Sequence, residues 1–143
     1  MAFLLKADYY TQIRQLRLEQ MTESIEAVFL QVSGEAVAVV RNYLYTLYNT
    51  ELIFAATGDN RDPLVLLHCK HVAIYILHQR LPMSMIPDNV KDNYRNTLDF
   101  LDQVARGKIG IDLPRRQSDT DGDGVLDTDN HVFLWGGQKQ RTR

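Results

Sequence analysis

The residues with the clearest potential for chemistry are the aspartates of Asp119-Thr-Asp-Gly-Asp-Gly-Val-Leu-Asp127-Thr-Asp-Asn130. Calcium takes six to eight oxygen ligands, and acids at alternate positions of a short loop converge on one cation. A glycine at the sixth position permits the sharp turn, a backbone carbonyl follows at the seventh, and a side chain at the ninth completes the near side. Those places fall on Asp119, Asp121, Asp123, Gly124, Val125 and Asp127. The twelfth position is Asn130, where a two-oxygen glutamate would close the shell, and no clear helix flanks the loop. The chemistry is therefore that of a structural calcium held weakly or in part, through Asp119, Asp121, Asp123, Val125 and Asp127. The competing reading is an acidic turn that binds nothing.

This loop resembles the calcium loops of dockerins and thrombospondin type 3 repeats. A second cluster, His68, Cys69, His71 and His78, falls on one expected helix. His71 and His78 share a face and His68 lies one turn before His71, but zinc asks for about four convergent ligands. Core or interface histidines explain the set better, with Cys69 as a small buried hydrophobe. Tyr43, Tyr45 and Tyr48 crowd the end of another expected helix. Tyr43 reads as core, while Tyr45 and Tyr48 are candidates for a partner interface, because tyrosine is enriched there. Arg115-Arg116 and the ending Lys139-Gln-Arg-Thr-Arg143 offer contacts to phosphates, although a solvated tail is the simpler reading. No phosphate-cradling glycine loop, nucleophile elbow or pair of buried carboxylates stands out. The expectation is a protein that is not an enzyme and requires no cofactor.

These groups sit on a chain of 143 residues, long enough for one real core and short for two. A net charge of −2 supplies no general attraction to nucleic acid or anionic membrane, so any DNA contact has to be local. One cysteine allows no internal disulfide and suits a reducing cytosol. No apolar run approaches a membrane span, and the first residues lack the charged and apolar regions of a leader. A soluble cytoplasmic product without membrane contact is expected.

The spacing of apolar residues predicts an all-α fold, a compact bundle of about four helices followed by an extended, mostly irregular C-terminal arm. Residues 7–14 suit a short helix with Asp8 as cap or early acid. A longer one runs from Ser24 to about Tyr48, with Val28, Val32, Val39 and Tyr43 among apolar positions three and four apart, and Gly34 as its weak point. Asp62-Pro63, an acidic cap before a proline, opens a third helix to about Arg80 that is apolar on most sides. Pro82 and Pro87 bracket a turn, Asp88 caps a last helix from about Asn89 to Arg106, and Gly107 is placed to end it. Beyond Leu113-Pro114 the composition turns to glycine, aspartate and basic residues, with one apolar island, Val132-Phe133-Leu134-Trp135. The division is a helical domain at 1–114 and an arm at 115–143 that carries the acidic loop and, at Val132–Trp135, a candidate docking contact.

Several strings in this order resemble the Mu-like small phage head proteins, which share the helical fold of head–tail connectors (adaptors). They are Phe3-Leu4 with Asp8-Tyr9, Arg41-Asn42-Tyr43-Leu44 with Tyr48, and Ile53-Phe54-Ala55 ahead of Asp62-Pro63. Then come Ala73-Ile74-Tyr75 with His78 and Arg80, Ile86-Pro87, Tyr94, Leu101, and Val104-Ala105-Arg106-Gly107-Lys108 before Leu113-Pro114. The match covers roughly residues 1–114. The resemblance implies a structural virion protein at the neck, beneath the portal protein. Copies of it, twelve by the portal's symmetry, form a ring that continues the DNA channel without sequence-specific contact and docks the tail or next neck protein. A head-completion (stopper) or other neck protein is the nearest alternative. A calcium-dependent binding module is the alternative of another class.

Overall fold

The computed structural model describes residues 2–117. Its helices are α1 (Gln15–Thr22), α2 (Glu26–Leu44), α3 (Thr50–Ala55), α4 (Pro63–His78) and α5 (Asp88–Ala105). Short 3₁₀ turns lie at Lys6–Thr11, Gly58–Asn60 and Met83–Met85. Among the described residues there is no strand, and one isolated antiparallel bridge joins Tyr48 to Arg115. The all-α expectation holds, and the reasons are local.

Asp62 caps α4 as its type predicts, its Oδ1 accepting the N–H groups of Leu64 and Val65 at 2.9 Å each, with Pro63 at the first helical position. Gly107, at φ 76°, ends α5. The Gly107 N–H donates to the Val104 carbonyl and the Lys108 N–H to that of Gln103, the paired bonds of a left-handed helix stop. Asp88 is the first residue of α5 and not its side-chain cap, so its contribution is charge near the positive helix end.

Three elements depart from the expected pattern. Residues 6–11 form a 3₁₀ turn, and a separate α1 follows it. That helix buries only Leu18, Met21 and Thr22, too few apolar positions to show a period. The long helix does not start at Ser24. Glu23 and Ser24 both take left-handed backbone, at φ 54° and 56°, and this corner separates α1 from α2. Gly34 does not break α2, where it stands exposed with open space around it. The helix ends at Leu44, and Tyr45–Tyr48 turn away toward α3, whose start Asn49 caps by accepting the Leu52 N–H.

The core lies where α4 packs between α2 and α5. Phe29, Val32, Ala36, Val40 and Leu44 present the buried stripe of α2, and Val90, Leu101 and Val104 that of α5. Cys69, Val72, Ala73 and Leu77 are the fully buried apolar residues of α4. The N-terminal residues close one side: Phe3 packs edge-on to Phe54, and Tyr9 to Phe29, with the Tyr9 hydroxyl 2.7 Å from Ser33 Oγ. Arg80 ties the far end of α4 to the corner, donating to the Met21 carbonyl and to Glu23.

Candidate functional site

The residues after α5 return across the end of α2 and are fastened there. The Asn49 N–H donates to the Pro114 carbonyl at 2.8 Å, and the Arg116 N–H to that of Leu47 at 3.0 Å. The Ile111 N–H donates to the Tyr48 hydroxyl at 3.3 Å. The Arg115 guanidinium lies 5.0 Å from the Tyr48 ring centre and that of Arg116 4.1 Å from the Tyr45 ring, both within cation–π range. The helical body therefore holds its chain for two residues past Pro114, and Arg115-Arg116 dock on tyrosines rather than trail in water.

This arrangement divides the two tyrosines expected at a partner surface. Tyr45 is 51% exposed, whereas Tyr48 is 1% exposed and belongs to the core. Tyr48 is covered by its own chain, because the 107–116 return passes over it. Sequence periodicity cannot show a return that arrives from more than sixty residues away. Beside Tyr45, Arg41 of α2 pairs with Glu51 of α3. The Arg116 contact holds the Tyr45 phenol below its usual range, through the hydrogen bond first and then the charge. The other interface candidates, Val132, Phe133, Leu134 and Trp135, and the calcium candidates Asp119, Asp121, Asp123, Val125 and Asp127, lie outside the described residues.

The histidines of α4 do not converge as a set. His78 is buried and its Nδ1–H donates to the Ile74 carbonyl at 2.8 Å. His68 and His71 instead meet one hydroxyl, each Nδ1 standing 3.0 Å from Oγ1 of the buried Thr97 on α5. One hydroxyl carries one proton, so both rings cannot accept from it, and at least one imidazole donates. His68 stacks on Phe100, and its Nε2 is buried with no hydrogen-bond partner. Donation from Nδ1 leaves that Nε2 as a bare acceptor, which costs less than an orphaned N–H. Among the described residues no three His, Cys, Asp or Glu side chains group to hold a metal ion.

Protonating His68 would bury an unpartnered N–H next to His71. Burial first, then the charge of His71, push its pKa down to about 4. Burial and Lys70 lower His71 as well. In an unfolded chain histidine titrates near ~6.5, so as pH falls below that value the unfolded state takes up the proton first. Stability is then full above about pH 6.5, declines toward pH 4, and loses nothing more from this group below that. After discounting for partial contact with water the loss is on the order of 2 kcal/mol. Urea denaturation of the natural chain and of His68→Gln at pH 7 and pH 4.5 isolates the effect from the carboxylates. The variant should lose correspondingly less on acidification, and parallel losses would assign the pH response to other groups.

Comparison with known proteins adds one finding. A family model described as bacteriophage Mu, Gp36 matches residues 4–127. No curated protein and no solved structure matches the chain significantly.

Proposed function

Since the chain belongs to the bacteriophage Mu Gp36 family, we propose that this phage protein is a structural component of the virion neck, a head–tail connector (adaptor). In this reading copies form a ring beneath the portal protein, continue the DNA channel, and offer the docking surface for the tail or the next neck protein. The protein works by contact and carries no catalytic step or required cofactor. The observation that carries the reading is the fastening of residues 109–116 over Tyr48 and Tyr45. It gives the following residues a rigid root on a small helical body, and a firm root is what an assembly arm needs to transmit force to a neighbour. The half-exposed Tyr45 beside that root supplies an aromatic anchor of the kind that dominates interface energies. Head-to-tail contacts of one chain close into a ring when the rotation between copies allows it. Among the described residues no helix is long and apolar enough to cross a membrane.

Electron microscopy of a lysate from phage lacking this gene tests the reading. Heads that are packaged or leaking, beside complete but unattached tails, are the expected products, and supplying the protein in trans should restore joined particles. Normal joined particles in its absence would remove the connector reading.

A further inference from the structure

Next to the root of the C-terminal segment, α3, the 57–63 loop and residues 112–114 enclose a groove of ≈ 360 Å³. Its apolar lining includes Leu52, which is 60% exposed, together with Ile53 and Leu113. Its rim is acidic. Arg61 also lines the groove, but its guanidinium is committed to Asp8 and to the carbonyls of Phe3 and Gly58. Asp62 is occupied in capping α4. Asp59 and Asp112 are exposed and have no ion-pair partner among the described residues. A trough with apolar walls at Leu52, Ile53 and Leu113 and with carboxylates at Asp59 and Asp112 that have no counter-ion among the described residues fits a ligand with large apolar side chains followed by cations.

The chain itself contains such a segment. Val132-Phe133-Leu134-Trp135 is followed by Lys139, Arg141 and Arg143, with no acid between 131 and 143. We propose that the groove receives residues 132–143 of a neighbouring copy, the apolar residues entering the trough and the cations meeting Asp59 and Asp112. The inference rests on the ring reading above and names the contact that joins one copy to the next. Chain length allows it: from Gln117 to Val132 a fully extended chain spans about 50 Å, at about 3.3–3.6 Å per residue. Charge favours the neighbour over the same copy. The intervening stretch carries Asp119, Asp121, Asp123, Asp127 and Asp129. The chain runs along the groove's own wall at Pro114 and is fastened beside it as far as Arg116, so a return to the same groove would bring these acids back to its acidic rim. Extension to the next copy carries them away.

Disulfide trapping between full-length chains tests this contact, since oxidation captures even a transient encounter. The native Cys69 is buried, with its thiol pushed up to about 12 by that burial, so it does not compete. A size-tagged Leu52→Cys chain is mixed with an untagged Phe133→Cys chain and oxidised mildly. The expected product is a tagged–untagged dimer, at least tenfold above that formed when Leu16→Cys, exposed on α1, replaces Leu52→Cys. Adding Asp59→Lys and Asp112→Lys to the groove copy should suppress the dimer, and adding Lys139→Glu, Arg141→Glu and Arg143→Glu to the tail copy should restore it. Yields equal to the Leu16→Cys control would overturn the proposal. So would a link confined to single chains carrying both Leu52→Cys and Phe133→Cys. A link between copies, found together with normally joined particles from the deletion phage, would uphold the contact and remove the connector reading instead.

Discussion

Replacing Arg61 with methionine is expected to lower the free energy of unfolding by about 3–5 kcal/mol, because it leaves a buried carboxylate without its counter-ion. Arg61 and Asp8 form a two-pronged pair, Nη1 to Oδ2 at 2.6 Å and Nη2 to Oδ1 at 3.1 Å, with side chains only 11% and 13% exposed. The guanidinium also donates to the carbonyls of Phe3 and Gly58 at 2.8 Å each. Without it, the Leu5 N–H is the one remaining donor to the Asp8 carboxylate among the described residues. The outcome reaches beyond the pair, since the N-terminal residues that bury Phe3, Leu4 and Tyr9 against the bundle are held by the same guanidinium. The pair itself need not be net stabilising, as burying two charges is costly even when they meet. A cycle with Asp8→Leu separates the two statements. Arg61→Met combined with Asp8→Leu should recover a large part of the loss in urea denaturation at pH 7. A single-variant loss under about 1 kcal/mol would mean that water reaches Asp8 once the arginine is gone.

That pair also marks where sequence reasoning stops. Asp62-Pro63 and Gly107 were legible because each acts on backbone groups a few residues away, so the sequence string contains the whole interaction. The buried stripes of α2 and α5 were legible for the same reason: a helical period is local. Asp8 and Arg61 are 53 residues apart, and each alone reads as an ordinary cap or loop residue. The corner at Glu23-Ser24 was hidden because neither residue type announces left-handed backbone. α1 was hidden because it buries so little. The candidate site follows the same division. Tyr45 could be placed at a helix end, but the fate of Tyr48 depended on the 107–116 return. The sharing of Thr97 by His68 and His71 needed the register of α4 against α5. Beside the local signals Asp62-Pro63 and Gly107, the strings that carry the family resemblance include residues whose roles are long-range: Phe3, Leu4, Tyr9 and Tyr48 are buried, and Arg80 holds the α1–α2 corner. They act through packing, which is why they indicate a fold more directly than a task.

The two tyrosines at the root of the C-terminal segment allow fold and task to be separated by experiment. Tyr48→Ala removes a fully buried ring, the acceptor of the Ile111 N–H and the platform under Arg115, and should cost about 3–5 kcal/mol. Loosening should begin in residues 109–116, so limited proteolysis near Arg115-Arg116 is expected to accelerate before the helices melt. Tyr45→Ala removes a half-exposed ring whose neighbour Arg116 keeps its backbone bond to Leu47, and should change stability by no more than ~0.5 kcal/mol. If Tyr45 is an interface anchor, that same variant should fail in assembly. A contact worth about 1.4 kcal/mol or more corresponds to at least a tenfold weaker association. Complementation of the deletion phage supplies the readout: Tyr45→Ala is expected to give a stable protein that is poorly incorporated into particles, and Tyr48→Ala an unstable one. Normal incorporation of Tyr45→Ala would move the partner surface away from this root. A stable Tyr48→Ala chain would mean that the 107–116 return contributes little to the fold, and the fastened arm would lose its physical basis.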